Sequence, residues 1–357
     1  MRTRTLSLSV VGSLLVASAA WAVPPRTLRP KSPAPAPHRA APTPAKRSSP
    51  ARPATSPGPV QTAHRRSPYV GALCADARTG RILISDNAGA EAYPASLTKL
   101  MTLLLVLEDV RAGRYTLDTM ATATPDVNRC EASWVGIKVG EKMSIRDLCY
   151  SLMVESANDA AIVLAVHSAG SFDAFVRRMN ERALELGMRK THYYNPNGLP
   201  PNASKRYSWK NFNVTTAFDQ LQLALALLRL PEVVTFTSVK TCDLIKTPGG
   251  LRVNVTRRVN EPVVQTRLRP GESIVKQLCN HNNVMVKDKQ KIFNPDGTEA
   301  VDGMKTGYIN AGGSSIIITG TRRGERAVAI VLGSSSSKER DEHASRLISD
   351  ALGALAW

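Results

Sequence analysis

Residues 93–107 read Tyr-Pro-Ala-Ser-Leu-Thr-Lys-Leu-Met-Thr-Leu-Leu-Leu-Val-Leu. From Leu100 onward the run is apolar on every side, the pattern of a helix buried all round, and Gly113 supplies its stop. Pro94 suits a first turn, so Ser96 and Lys99 fall at the start of this helix. A spacing of three puts the hydroxyl and the amine on one face, within reach of each other. A serine alone is a poor nucleophile. A lysine whose burial lowers its pKa is one of the few groups able to take its proton at neutral pH. Free N–H groups at the helix start supply positive potential where an oxyanion would form.

The same tetrad spacing recurs in Ser273-Ile-Val-Lys276 and Ser335-Ser-Ser-Lys338. Ser273 follows Pro270-Gly271 in a polar stretch and Ser335 sits among serines, so both are expected in solvated loops rather than at the head of a buried helix.

Outward from the buried helix, the chain alternates between two periods. Residues 69–76 and 81–84 read as strands around Thr79-Gly80, and residues 314–320 and 326–333 as strands around Arg323-Gly324. A last helix runs through Leu347, Ala351 and Leu355. Between these hairpins the pattern is helical: Ser144-Ile-Arg-Asp147 resembles a capping box, residues 172–186 end at Gly187, and residues 215–230 end at Pro231. Strands at both ends with helices between predict an α/β (α+β) domain, an antiparallel sheet formed by the N- and C-terminal segments plus a mostly helical subdomain.

Two further elements complete a possible site. In Ser156-Ala157-Asn158, sixty residues after Ser96, a hydroxyl able to relay a proton stands beside an amide able to hold substrate. Lys305-Thr306-Gly307 leads toward the last hairpin: a cation and a hydroxyl suit a carboxylate, and the glycine lets a substrate backbone approach a strand edge. The literal Ser85-Asp86-Asn87 precedes the nucleophile at a strand end and reads as a plain turn.

The three elements in this order resemble the motif set of penicillin-binding proteins and class A β-lactamases, with Ala157 where that set carries Asp. Longer stretches narrow the likeness: residues 93–102, Ser156-Ala-Asn-Asp-Ala-Ala161, Asn195-Pro-Asn-Gly-Leu199 and Val301-Asp-Gly-Met-Lys-Thr-Gly-Tyr308 resemble the low-molecular-mass serine D-Ala-D-Ala carboxypeptidases. The resemblance covers residues 69–357 and implies a β-lactamase/transpeptidase-like fold. It further implies Ser96 as acylated nucleophile, Lys99 as its base, Ser156 as proton relay and Asn158 as substrate contact. Lys305 and Thr306 would bind the terminal carboxylate beside Gly307, and the N–H groups of Ser96 and Tyr308 would form the oxyanion hole. Peptidoglycan stem peptides are then the substrates and β-lactam antibiotics the covalent inhibitors; no cofactor or metal is expected. A DD-endopeptidase would use the same groups on cross-linked peptides. A β-lactamase would need a glutamate placed for deacylation, which the sequence does not identify, and a non-catalytic wall-binding protein could keep the fold. Many family members carry a small β domain and an amphipathic C-terminal anchor. Here the chain ends soon after its last helix, so attachment by that route is not expected, and residues 240–280 are longer and more basic than usual.

The first 68 residues are of a different kind. Arg2 and Arg4, an apolar run over residues 6–19 and Ala20-Trp21-Ala22 match a signal peptide cleaved after about Ala22. Export to the periplasm or the exterior of the cell envelope follows, and export disfavours nucleic acid as a partner. Residues 23–68 are Pro-, Ala-, Ser- and Arg-rich without an aromatic or acidic side chain, too polar to form a core and expected to be a disordered tether. Of the formal net charge of +18, eleven positive residues lie in residues 1–68, a basic segment suited to anionic envelope polymers or to serving as a solvated spacer. The five cysteines are at 74, 130, 149, 242 and 279. Cys74 reads as a buried strand residue, and Cys130 with Cys149 or Cys242 with Cys279 are the conceivable bridges.

Overall fold

The computed structural model describes residues 68–129, 132–201 and 211–356. The signal peptide and tether expected in residues 1–67 lie outside them, as does Cys130. In chain order the elements are β1 (Gly71–Asp76), β2 (Ile82–Asp86), α1 (Thr98–Arg111), β3 (Met120–Thr122), β4 (Lys142–Ser144), α2 (Ile145–Val154), α3 (Asn158–Ala169), α4 (Phe172–Glu185), α5 (Ala217–Leu228) and α6 (Glu232–Thr237). There follow β5 (Val239–Thr247), β6 (Gly250–Arg258), β7 (Ser273–Cys279), α7 (Asn283–Val286), β8 (Val301–Ile309), β9 (Gly313–Arg322), β10 (Glu325–Ser334) and α8 (Ser337–Leu355).

The two terminal hairpins meet as expected. Gly71 to Asp76 pair antiparallel with Leu332 to Ala327, giving a sheet of order β2-β1-β10-β9-β8. Both faces of its central strands are covered. Leu73, Ile317 and Ile330 pack with the helices, whereas Cys74, Ile316 and Ile318 pack with Ala344, Ile348 and Leu352 of α8. That double burial is why β9 reads as a run of isoleucines rather than a strict alternation. On the helical side, α1 is buried over most of its length, and Ser144 caps α2 by accepting the N–H of Asp147 at 3.1 Å.

A second sheet, absent from the sequence reading, lies in the middle of the chain with order β3-β4-β6-β5-β7. The long basic stretch forms its three longer strands. Ser273 and Lys276 therefore sit on an exposed edge strand, not in a loop, and Lys276 forms an ion pair with Glu155. Ser335 lies exposed in the loop before α8, as expected, and its neighbour Ser336 caps that helix by accepting the N–H of Glu339. The edge strand escapes a reading of the sequence because its side chains are nearly all exposed, and solvent exposure is not the absence of regular structure. Cys242 and Cys279 are both free thiols; Cys242 stands opposite Leu278 and Cys279 opposite Thr241, so successive residues turn them to different faces.

Candidate active site

Ser96 lies in a single tight turn, Ala95–Leu97, that runs directly into α1. Ala95 adopts φ +47°, a left-handed conformation that a residue with a Cβ rarely takes. One helical turn on, Lys99 is completely buried and its Nζ donates to Ser96 Oγ at 2.9 Å and to the Asn197 carbonyl at 2.7 Å.

The segment Asn195–Leu199, noticed in the sequence only through the resemblance, supports this turn physically. Thr102 donates to the Pro196 carbonyl at 2.7 Å, and Asn195 Oδ1 accepts the Gly198 N–H at 2.6 Å. Asn213 Nδ2 bridges Thr98 Oγ1 and the Asn195 carbonyl, at 3.0 Å each. Gly198 has φ +84°, and a methyl group on it would fall 1.8 Å from the Ala95 carbonyl oxygen, so only glycine fits.

Ser156 occupies the bend between α2 and α3 with φ +61°. It is 3% exposed, and its hydroxyl has no protein hydrogen-bond partner. Asn158, at the first position of α3, donates its Nδ2 to the Ala132 carbonyl at 2.7 Å, while its buried Oδ1 is likewise without a protein partner. Unpaired buried polar atoms are rare enough to require an explanation. Here both belong to residues at one cavity wall or directly behind it.

Lys305, Thr306, Gly307 and Tyr308 lie on β8, the edge strand of the first sheet. Lys305 is 2% exposed, and burial, with the positive field of Arg340 adding to it, pushes its ammonium down to about 7. A methyl group on Gly307 would lie 2.7 Å from the Pro94 carbonyl oxygen and 3.1 Å from the Ser96 nitrogen, so the absence of a side chain lets β8 press against the Ser96 turn.

A cavity of about 320 Å³ joins these pieces, with Ser96, Ser156, Thr306, Gly307 and Tyr308 in its wall. Lys99 sits behind Ser96, Lys305 adjoins Thr306 in the chain, and Asn158, two positions after Ser156, donates its N–H to the carbonyl of the wall residue Ser133. Ser133, His281, Asn283, Ser337 and Arg340 also line it and were not anticipated. Arg340 is nearly buried and paired with Asp341 at 2.5 Å, whose other oxygen accepts from Asn283 Nδ2. The His281 imidazole is held below its ordinary pKa by burial and by the charges of Lys305, Lys276 and Lys99, against Glu155. No local pattern marks these residues; the fold brings them in from the loop between β3 and β4, the turn after β7, α7 and α8.

The pieces amount to a serine hydroxyl hydrogen-bonded to a buried amine, a second hydroxyl facing the same cavity, and the guanidinium of Arg340 in its wall. The family described as D-alanyl-D-alanine carboxypeptidase matches residues 65–259. The D-alanyl-D-alanine carboxypeptidase DacF of Bacillus subtilis is 26% identical over 270 residues, 76% of this chain; the chain spans 58% of that relative's length. The crystal structure of D-alanyl-D-alanine carboxypeptidase DacD from Francisella tularensis superposes with a TM-score of 0.66 at 27% identity, covering 83% of this chain and 72% of that one. Penicillin-binding protein D2 from Listeria monocytogenes, solved in its ampicillin-bound form, gives 0.59 at 26% identity over 79% of this chain and 96% of that one.

Proposed function

The chain belongs to the D-alanyl-D-alanine carboxypeptidase family, and from that premise we propose that it removes the terminal D-Ala from peptidoglycan stem peptides through an acyl-enzyme on Ser96. The observation that carries the reading is the 2.9 Å hydrogen bond between Lys99 Nζ and Ser96 Oγ, placed where β8 brings Gly307 against the Ser96 nitrogen.

Ser96 Oγ attacks the carbonyl carbon of the penultimate D-Ala while its proton passes to Lys99. The carbonyl oxygen becomes an anion and accepts the N–H groups of Ser96 and Tyr308. Collapse breaks the C–N bond, and the departing amine takes a proton through Ser156, whose unpaired hydroxyl faces the same cavity. Asn158 holds the substrate backbone. Water then cleaves the ester, releasing the shortened peptide and restoring Ser96. Throughout, Lys305 and Thr306 hold the terminal carboxylate, with Arg340 adding positive potential.

A β-lactam enters the same path as far as the ester, in keeping with the ampicillin-bound Listeria relative. The working place of the enzyme is the periplasm or outer envelope, a reading supported by the signal-like first 22 residues, and the basic residues 23–68 suit contact with anionic envelope polymers. The test is incubation of purified protein with a peptide ending in D-Ala-D-Ala. Release of free D-Ala, abolished in Ser96→Ala, is the expected result. Cleavage only of cross-linked peptides would make it an endopeptidase, and no cleavage of either a wall-binding protein.

A further inference from the structure

The first turn of α3 does more than carry Asn158. The Asp159 carboxylate, wholly buried, accepts the N–H groups of Val135, Gly136 and Ile137 at 2.9 to 3.2 Å. The Asn158 N–H donates to the Ser133 carbonyl at 2.7 Å, and its side chain holds the Ala132 carbonyl. The segment fixed in this way is strained: Ala132 and Ser133 have φ of +64° and +43° although neither is glycine. Backbone in that region persists only where its surroundings over-determine it, and it gathers at functional sites.

The clamp leaves Ser133 in the wall of the catalytic cavity and the next side chain, Trp134, 57% exposed, while Val135 and Ile137 are buried. An exposed apolar side chain on a loose loop would need no explanation. An indole held out by five backbone hydrogen bonds to two neighbouring helix residues, one position from a catalytic wall, does.

In the proposed reaction Lys305, next to the wall residue Thr306, and Arg340 in the wall would draw the terminal carboxylate, and the uncharged part of the wall includes Ser133, Ser156 and the 55% exposed Tyr308. We propose that Trp134 is a specificity-determining contact for the side chain of the residue preceding D-Ala-D-Ala, favouring one with a long aliphatic stem, and that Asp159 is the positioning residue that holds it. The assignment rests on the peptide substrate proposed above. An indole covers methylene groups well and loses little rotamer freedom in doing so.

The test uses the full chain and two N-acylated peptides, one with glycine and one with diacetyl-lysine before D-Ala-D-Ala. The unmodified protein is expected to prefer the lysine peptide in kcat/KM, and Trp134→Ala to reduce that preference about tenfold, chiefly through KM, with Trp134→Phe keeping most of it. Asp159→Asn is expected to reduce the same preference. If it fails to fold, the exposed Trp134 still decides. Binding is read separately, by tryptophan fluorescence in a Ser96→Ala background: the lysine peptide should quench more than the glycine peptide, and Trp134→Phe should remove the difference. This readout survives even if neither peptide is hydrolysed, which would count against the proposed reaction and not against the contact. Equal loss for both peptides in Trp134→Ala, or quenching that Trp134→Phe leaves unchanged, overturns the proposal.

Discussion

Burial moves the ionisation of Lys305 far from that of its free side chain, and the departure sets a test. With its ammonium near pH 7, it is cationic below that pH and increasingly neutral above it. A carboxylate gains from the cation, whereas a C-terminal amide does not. The ratio of kcat/KM for a D-Ala-D-Ala acid to that for its amide should therefore be largest below pH 7 and fall between pH 7 and 9, approaching tenfold per unit above the pKa. Taking the ratio cancels the opposite requirement that Lys99 be neutral to activate Ser96. A ratio flat from pH 6 to 9 would remove Lys305 from carboxylate binding. By the same reasoning Lys305→Gln should lower kcat/KM on the acid by about 30-fold to 1000-fold, the equivalent of roughly 2 to 4 kcal/mol for a charge-assisted contact in a desolvated site. The amide should suffer much less, because the two changes remove the same interaction. Equal damage on both substrates would instead place Lys305 at the reacting centre.

Among the elements, the nucleophile turn and the segment Asn195–Leu199 act as one unit. Gly198→Ala would drive a Cβ into the Ala95 carbonyl and add strain at φ +84°, so a loss of about 2 to 4 kcal/mol is expected in chemical denaturation. Because the adjacent Asn197 carbonyl holds Lys99, penicillin acylation of the surviving folded protein should also slow. A variant of undiminished stability would show that the turn is not clamped there. The same contacts mark the limit of what the sequence could reveal. The two terminal hairpins were legible because alternation and turn residues are local signals, and the Ser96–Lys99 pair because it depends on a spacing of three; Ser156, whose Ser-x-Asn pattern alone reads as an ordinary helix cap, entered through the resemblance. The second sheet was not legible. β3 and β4 have three residues each, too few for a period, and Ser273–Cys279, in which only Leu278 is buried, shows no alternation of apolar and polar side chains. Arg340, His281 and Ser133 reach the cavity only through tertiary contacts, which no local window contains.

At the level of the whole molecule, the domain from Pro68 onward is expected to need little from residues 1–67. Tyr69 already bonds Asp86 at 2.7 Å, and the Val70 N–H bonds the Leu332 carbonyl at 2.8 Å, so a chain beginning at Pro68 keeps both ends of the first sheet. Such a chain should match the melting temperature and penicillin acylation rate of the longer one; a drop of several degrees would show that the removed segment packs. The reaction itself is tested most directly by mapping the adduct formed with penicillin, using peptide mass spectrometry on the intact protein and on Ser96→Ala. The expected result is one adduct on the peptide that contains Ser96 and none in the variant. An adduct on Ser273 or Ser335, or undiminished labelling of Ser96→Ala, would contradict the account.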